Sequence, residues 1–449
     1  MYEIDPATTA SQLASAYTHA PQEQIDASRS AAQRTATGLS SLKAALSAFD
    51  GALSSLSSVT GSAGMRKFTA SLSAGGTASA SSTAASGSYS FQVEQLASSH
   101  QIVFEDLPAV PVASGGPLNV QLGDGSIFSV DLLAADSDGD GSLSQSEIAR
   151  AINQAEGNQG KVTASVVTVG DRVQLLLSAA ATGSDSQITL DTSAVPAGAL
   201  RDALDAGREL TAARDAIVWL GGAGGVRLQQ ASNTFTALQG VTVTFTEASA
   251  TPVTLTVAAD AAGTAAQVQK FIDAYNALKA ELDALTKVST DGSARSGAFA
   301  TDAGIRTLRS RLDSVVRQEF GGLTLAALGV KANREGRLAL DQARLDQALA
   351  ARPSALDELF GKATLSERTG LLGSLDEYVE AWLQAGTGLI ASRQSSIENI
   401  QKRLTERQAR LDLQYENMYQ RYLQQFTQLQ SLQSQMGQTS GLFATIGTS

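Results

Sequence analysis

From about residue 25 to Val59, apolar side chains recur at steps of three and four. Leu39, Leu42, Leu46, Phe49, Leu53, Leu56 and Val59 fall on one stripe of a helix. Ala and Ser fill the opposite face, so the stripe is too narrow to bury itself and requires a partner helix. Residues 61–87 are rich in Ser, Gly, Ala and Thr and carry neither helical nor strand period, which reads as a flexible or extended connector. Alternation then takes over. Tyr89, Phe91 and Val93 share one face of a strand; Val162, Ala164 and Val166 share another; Val173, Leu175 and Leu177 follow a Gly170-Asp171 turn, so the last two runs predict a hairpin. Val241-Val243-Phe245 and Val253-Leu255-Val257, separated by Glu247 to Pro252, predict a second strand pair, and Glu147–Gln154 predicts one short helix between strands, ahead of the hairpin. After Asp260 the period returns to 3.6, through Phe271, Tyr275, Leu278, Leu282 and Leu285, then Ile305, Leu308 and Leu312. The last stretch carries Ile397, Ile400, Leu404, Leu411, Tyr415, Met418, Tyr422, Phe426, Leu429, Leu432 and Met436 at steps of three, four and seven among Gln, Arg and Ser. That is a coiled-coil-like helix, and its drift from a strict heptad predicts an antiparallel hairpin or mixed bundle.

Composition narrows the chemistry. The 449 residues carry 33 Lys+Arg against 44 Asp+Glu, a formal net charge of −11 that disfavours nucleic acid and anionic lipid. With no Cys there is no disulfide framework and no thiolate ligand or nucleophile; the two His, His19 and His100, are far apart, one in a polar leader and one at a strand end. The amino terminus has no basic and apolar leader of the Sec type, and nowhere do 18 apolar residues run together, so no membrane insertion is expected. An enzyme is therefore not expected, and catalytic residues and organic cofactors are assigned to none. Gly221 to Gly225, GGAGG, lacks the Lys-Ser/Thr of a phosphate loop and reads as a turn between strands. Asp302 and Asp341 stand beside helical stripes as N-caps or solvated groups, and the Tyr415, Met418, Tyr422, Phe426 stripe reads as packing between helices.

One segment carries more information. DSDGDGSLSQSE places Asp136, Asp138 and Asp140 at loop positions one, three and five of the calcium-loop pattern, Ser142 at seven, Ser144 at nine and Glu147 at twelve. Alternate side chains converge there on one point, Gly141 allows the sharp turn, and Leu143 supplies the apolar residue at eight. The competing reading is a solvated acidic turn capping the following helix. The preceding SIFSVDLLAA looks like a strand and no second loop is present, so a bound Ca²⁺ would be a lone EF-hand-like site that stiffens the chain.

Several stretches, in order, resemble the bacterial flagellar filament cap family, the flagellar hook-associated protein 2 family. They are GSYSFQVEQLAS (87–98), SEIARAINQA with KVTASVVTVGDRVQLLLSAAATGSDSQITL (146–190), ARDAIVW with ASNTFTALQGVTVTF (213–245), FIDAYNAL (271–278), ATDAGIRTLRSRL (300–312), LGVKANREGRLALDQARLDQAL (328–349) and LDELF (356–360). The amino terminus departs from the family, whose usual Gly-Ser-Gly-Leu-Asp-like start is replaced by MYEIDPATTASQLASAY. The resemblance implies a non-enzymatic homo-oligomer, exported through the flagellar type III channel to the extracellular filament tip. Its implied partners are flagellin, hook–filament junction proteins and an export chaperone. A chain without Cys and poor in aromatics suits threading through a narrow channel.

The expected fold is α+β and multidomain, with terminal coiled-coil helices and a helical domain from which a β-rich head of two nested units protrudes. The expected boundaries are a stem from 1–44 with 391–449, a helical middle domain from 45–77 with 261–390, an inner β head from 78–112 with 201–260, and an outer head, 113–200, holding the calcium-type loop. The expected function is the filament cap. An adhesin contacting host mucin or glycan through Thr/Ser-rich strands is the alternative, and a soluble hydrolase the least supported reading.

Overall fold

The computed structural model describes residues 5–57, 64–105, 107–170, 172–289, 296–361 and 369–446, with side chains to residue 439. Two compact units emerge, residues 1–58 with 264–449 and residues 59–263, and the fold is α+β. Among the described residues no helix is long and apolar enough to cross a membrane.

The first unit is helical. Its amino-terminal helix runs Pro6–Ser57 and its carboxy-terminal helix Leu389–Ile446. The two lie antiparallel, because Ser11 Oγ meets Tyr415 Oη at 3.2 Å while Gln22 and Gln408 exchange side-chain amide bonds of 3.1 and 2.7 Å. The antiparallel packing expected from the drifting stripe is therefore present. The helix begins well before residue 25, however. Pro21 sits inside it, where the ring removes one backbone bond and would normally end a helix. Burial of Ala10, Ala14, Thr18 and Ile25 offsets that loss, and small residues at the seam let the helices approach closely. His19 accordingly lies on the exposed face of a helix, 3.6 Å from Glu23, rather than in a leader. Leu39, Leu42, Leu46, Phe49, Leu53 and Leu56 then enter a core with the Ala261–Thr286, Ala303–Val315 and Gly370–Leu383 helices, in which Phe49 and Phe271 flank Tyr275 and Phe271 meets Phe360 edge-on at 5.2 Å. Lys279, 3% exposed, and Tyr275 both bond Asp313 in this core (3.1 and 2.8 Å).

The second unit holds two hydrophobic cores. The first lies between two antiparallel sheets. The strands Phe68–Leu72, Val253–Ala259, Gly87–Gln95, Ala216–Leu220 and Val226–Gln230 make a five-stranded sheet in that spatial order; Thr234–Leu238, Val241–Phe245 and Gly76–Ala80 make the facing one. Phe91 and Phe235 close on Phe245 between them, at 5.6 and 5.8 Å. Two expectations are corrected. The segment 61–87 contains two strands rather than a connector: Phe68 is buried, and the other inward positions are Ala or Leu packed along the same core, too small and too few to show a period. These strands belong to the β unit, so the expected middle-domain piece 45–77 runs past the end of the helical region, Ser57. Val241–Phe245 and Val253–Ala259 do not pair with each other; they enter opposite sheets, each flanked by two other strands. Alternation fixes which face a strand buries but not its neighbour.

The second core begins at Phe104 and ends at Leu204. It lies among the sheet Arg208–Thr211, Gln101–Phe104, Arg172–Ala179, Val162–Val169, the sheet Ile188–Asp191, Pro117–Leu122, Ile127–Asp131, and the helix Gln145–Gln154. Val162–Val169 and Arg172–Ala179 form the expected hairpin. Residues 221–225, GGAGG, turn between two paired strands, with φ of 92° and 84° at Gly221 and Gly222, values open to residues without a Cβ.

Candidate functional site

The acidic loop joins the strand Ile127–Asp131 to the helix Gln145–Gln154. Asp136 opens it, accepting from Gly139 N (2.7 Å) and Gly141 N (3.0 Å), and both glycines have φ near +80° (76° and 80°). Asp138 and Asp140 each accept the N–H two residues on, at 3.1 and 2.7 Å. Ser144 then caps the helix, and Glu147 returns a bond to Ser144 N (2.9 Å), a reciprocal capping box. The other Glu147 oxygen accepts from Ser137 N at 2.7 Å. These N–H donors, Ser144 before Ser137, hold its carboxyl well below the usual range, at about 2. Arg150 ties the loop entrance by donating to Ala135 O (2.9 Å).

Of the four carboxylates expected at a metal, three converge. One carboxylate oxygen each from Asp136, Asp138 and Glu147 lie within 4.8 Å of one another, with Glu147 buried. Asp140 is outside that group, its carboxylate turned onto Ser142 N. Ser142 Oγ donates to Val110 O (3.3 Å), and Ser144 Oγ is engaged with Ser146 and Glu147 (2.9 and 2.8 Å). The loop thus presents three anionic donors in hard-oxygen chemistry suited to Ca²⁺, with the N-cap of a helix at its far end.

The carboxy-terminal helix carries a second candidate surface. Its antiparallel partner starts at Pro6, which by the Ser11–Tyr415 contact lies opposite about residue 420, counting one residue per ~1.5 Å on each helix. Beyond that point the apolar positions lose cover: Leu429 is 44% exposed, Leu432 58% and Met436 66%. The packing expected for the Tyr415, Met418, Tyr422, Phe426 stripe is only partial, all four being half-buried.

Sequence reasoning assigned nothing to His100, which is buried at 3% exposure. Its Nδ1 accepts from Ile188 N (2.9 Å) and its Nε2 faces a Glu209 carboxylate oxygen at 3.3 Å, so it ties three strands together with the proton on Nε2. A lone His gives no such signal in sequence. Asp302 and Asp341 are N-caps, accepting from Ile305 N (3.0 Å) and Arg344 N (3.2 Å). Asp302 also takes a two-pronged contact from Arg393, which holds its carboxyl below the ordinary range.

The helices and strands that frame these surfaces recur in known proteins. The family models described as flagellar hook-associated protein 2 N-terminus and C-terminus match residues 3–100 and 213–438. The chain belongs to the flagellar hook-associated protein 2 family. Among curated members, it is 34% identical over 376 residues to the lateral flagellar hook-associated protein 2 of Vibrio parahaemolyticus, covering 82% of this chain and 83% of that one. It is 29% identical over 435 residues to the B-type flagellar hook-associated protein 2 of Pseudomonas aeruginosa, covering 89% and 86%. The D1-D2-D3 domains of the flagellar cap protein FliD from Escherichia coli share the fold, with a TM-score of 0.64 and 24% identity over 80% of this chain and 99% of that one. The acidic loop lies between the two family matches, so membership carries no information about its ligand.

Proposed function

We propose that this chain is the structural, homo-oligomeric cap at the tip of a flagellar filament, retaining flagellin there and directing its polymerisation. Family membership supports the reading, and the observation that carries its mechanism is the uncovered stripe Leu429, Leu432 and Met436 on a helix that outruns its partner. A half-bundle of this kind gains its missing apolar contacts by docking on helices of filament subunits. Export through the flagellum's own channel fits a chain with no Cys to cross-link before threading. The export chaperone and the hook–filament junction proteins join flagellin as partners in this reading, and no catalytic step is assigned. Nothing favours the adhesin alternative over it. Replacing Leu429, Leu432 and Met436 together by Ser is expected to release flagellin into the medium while the β unit keeps its thermal transition. Normal filaments from that variant would exclude the helix as the anchor.

The acidic loop is proposed to hold Ca²⁺ through Asp136, Asp138 and Glu147, their convergence being the supporting observation. An unpaired loop binds weakly, on the order of 10⁻⁵ to 10⁻³ M. Titration calorimetry should give heat in that range, and Asp136→Ala with Glu147→Ala should abolish both the heat and the calcium-dependent rise in melting temperature. A melting temperature indifferent to chelator would make the loop a helix-capping turn only.

A further inference from the structure

Val162–Val169 is the outer strand of its four-stranded sheet. Along an antiparallel ladder, residues alternate between pairs that exchange both hydrogen bonds and pairs whose N–H and C=O point away from each other. Ala179 donates its N–H to His100 O (2.9 Å), on the far side of its strand, so its pairing partner Val162 also turns both polar groups outward. By the period of two, Ala164, Val166 and Thr168 do the same. Side chains close the first two of these positions. Asn158 both donates to Val162 O (2.8 Å) and accepts from Val162 N (2.8 Å); Asn153 does likewise at Ala164, at 2.7 and 2.8 Å. Each carboxamide stands in for a residue of a neighbouring strand.

Beyond these plugs the edge is open. On the side away from Arg172–Ala179 no strand of the described residues pairs with Val166 and Thr168, and Val166, Val167 and Val169 are 38%, 39% and 58% exposed. Protected edges ordinarily carry a charge or a Pro, and residues 162–169 carry neither.

We propose that this window binds a second copy of the chain, residues 165–169 of two copies forming an antiparallel strand pair about a two-fold axis at Val167. The inference rests on the oligomeric reading above. The window is bounded by the Asn153 plug at Ala164 and by the turn at Gly170 (φ 62°), each three residues from Val167. In the register centred on Val167, residue 170 of one copy lies opposite residue 164 of the other, so each turn ends where the other copy's plug begins. Val166 of each copy then faces Thr168 of the other with donor and acceptor matched, and the two Val167 side chains meet where opposed residues come closest. The absence of charge lets two chains of net charge −11 meet there without local repulsion. The contact is isologous, so it joins copies in twos, and a ring would close through other surfaces.

Val167→Cys in the otherwise Cys-free full chain tests this, since opposed Cα atoms about 4.5 Å apart suit a disulfide. Mild oxidation should give a covalent dimer, while Val226→Cys, exposed by 61% on another strand of the same unit, should not. Thr168→Pro removes an outward N–H and spares the ladder to Arg172–Ala179, so sedimentation should show dimer formation weakened by at least about tenfold with unchanged circular dichroism. If Val167→Cys links no faster than Val226→Cys, or Thr168→Pro associates like the parent, the pairing is wrong. An oligomer that persists with Val167→Cys unlinked overturns the pairing and leaves the cap reading standing. Filaments that keep their flagellin when the chain is absent overturn the cap reading whatever the cross-link shows.

Discussion

Asn158 is 1% exposed, and its side chain satisfies Ile152 O (2.9 Å) as well as both polar groups of Val162. Truncation leaves those backbone groups buried without partners, so Asn158→Ala is expected to cost about 2–4 kcal/mol. Urea unfolding of the full chain, followed through the β unit, measures it; a loss under ~1 kcal/mol would mean that water replaces the amide. Asp302 gives a pH signature. The Arg393 bonds lower its pKa in the folded chain relative to the unfolded one, so its contribution is complete above the ordinary carboxylate value, about 4, and is lost as pH falls below it. Asp302→Asn keeps the cap and removes the titration, and should flatten the acid-side fall in melting temperature of the helical unit; an unchanged fall would place the acid sensitivity elsewhere. The Asp302 and Asp341 caps were legible in sequence because capping is decided within four residues. Asn153 and His100 were not, since each acts on a strand that only folding brings to it, and Asn158, though its partners Val162 and Ile152 are near in sequence, sits in no helix-start pattern that would mark it.

Among elements, helices were legible where one stripe faced one core. Leu39 to Leu56 and Phe271 to Leu285 are buried along the stripes that their spacing gives. Strands were legible as strands but not as neighbours, and Gly76–Ala80 was not legible at all, because its faces are built from Ala, Ser and Thr. The carboxy-terminal helix shows the limit of a periodic signal, since its stripe continues through Met436 while its partner ends near residue 420. A single helix without tertiary contacts is marginal in water. Backbone amides of residues 424–439 are therefore expected to exchange with solvent within seconds in the free chain, against hours for those near Leu411, and to slow on docking to filament subunits. Slow exchange throughout the helix in a dilute monomer would show that it finds cover within the molecule, and the uncovered stripe would no longer be the docking surface.

For the whole molecule, the order helix, β, helix was legible because the apolar period changes twice along the chain. The chain path inside the β region was not, because pairing between distant strands leaves no period. Each of the two units closes its own apolar cores: Phe49, Phe271, Tyr275 and Phe360 in one, Phe91, Val218, Phe245 and Leu255 in the core between the two facing sheets of the other. A core that is closed within its unit should melt as its own cooperative transition. Phe360→Ala removes a ring that is 0% exposed, and is expected to cost the helical unit about 3–5 kcal/mol. Leu255→Ala, also at 0% exposure, is expected to cost the β unit about 2–5 kcal/mol. In calorimetry of the full chain each substitution should lower one transition and leave the other within about a degree. If either variant shifts both together, the units share their stability, and the cap would have to carry stem and head as one cooperative body.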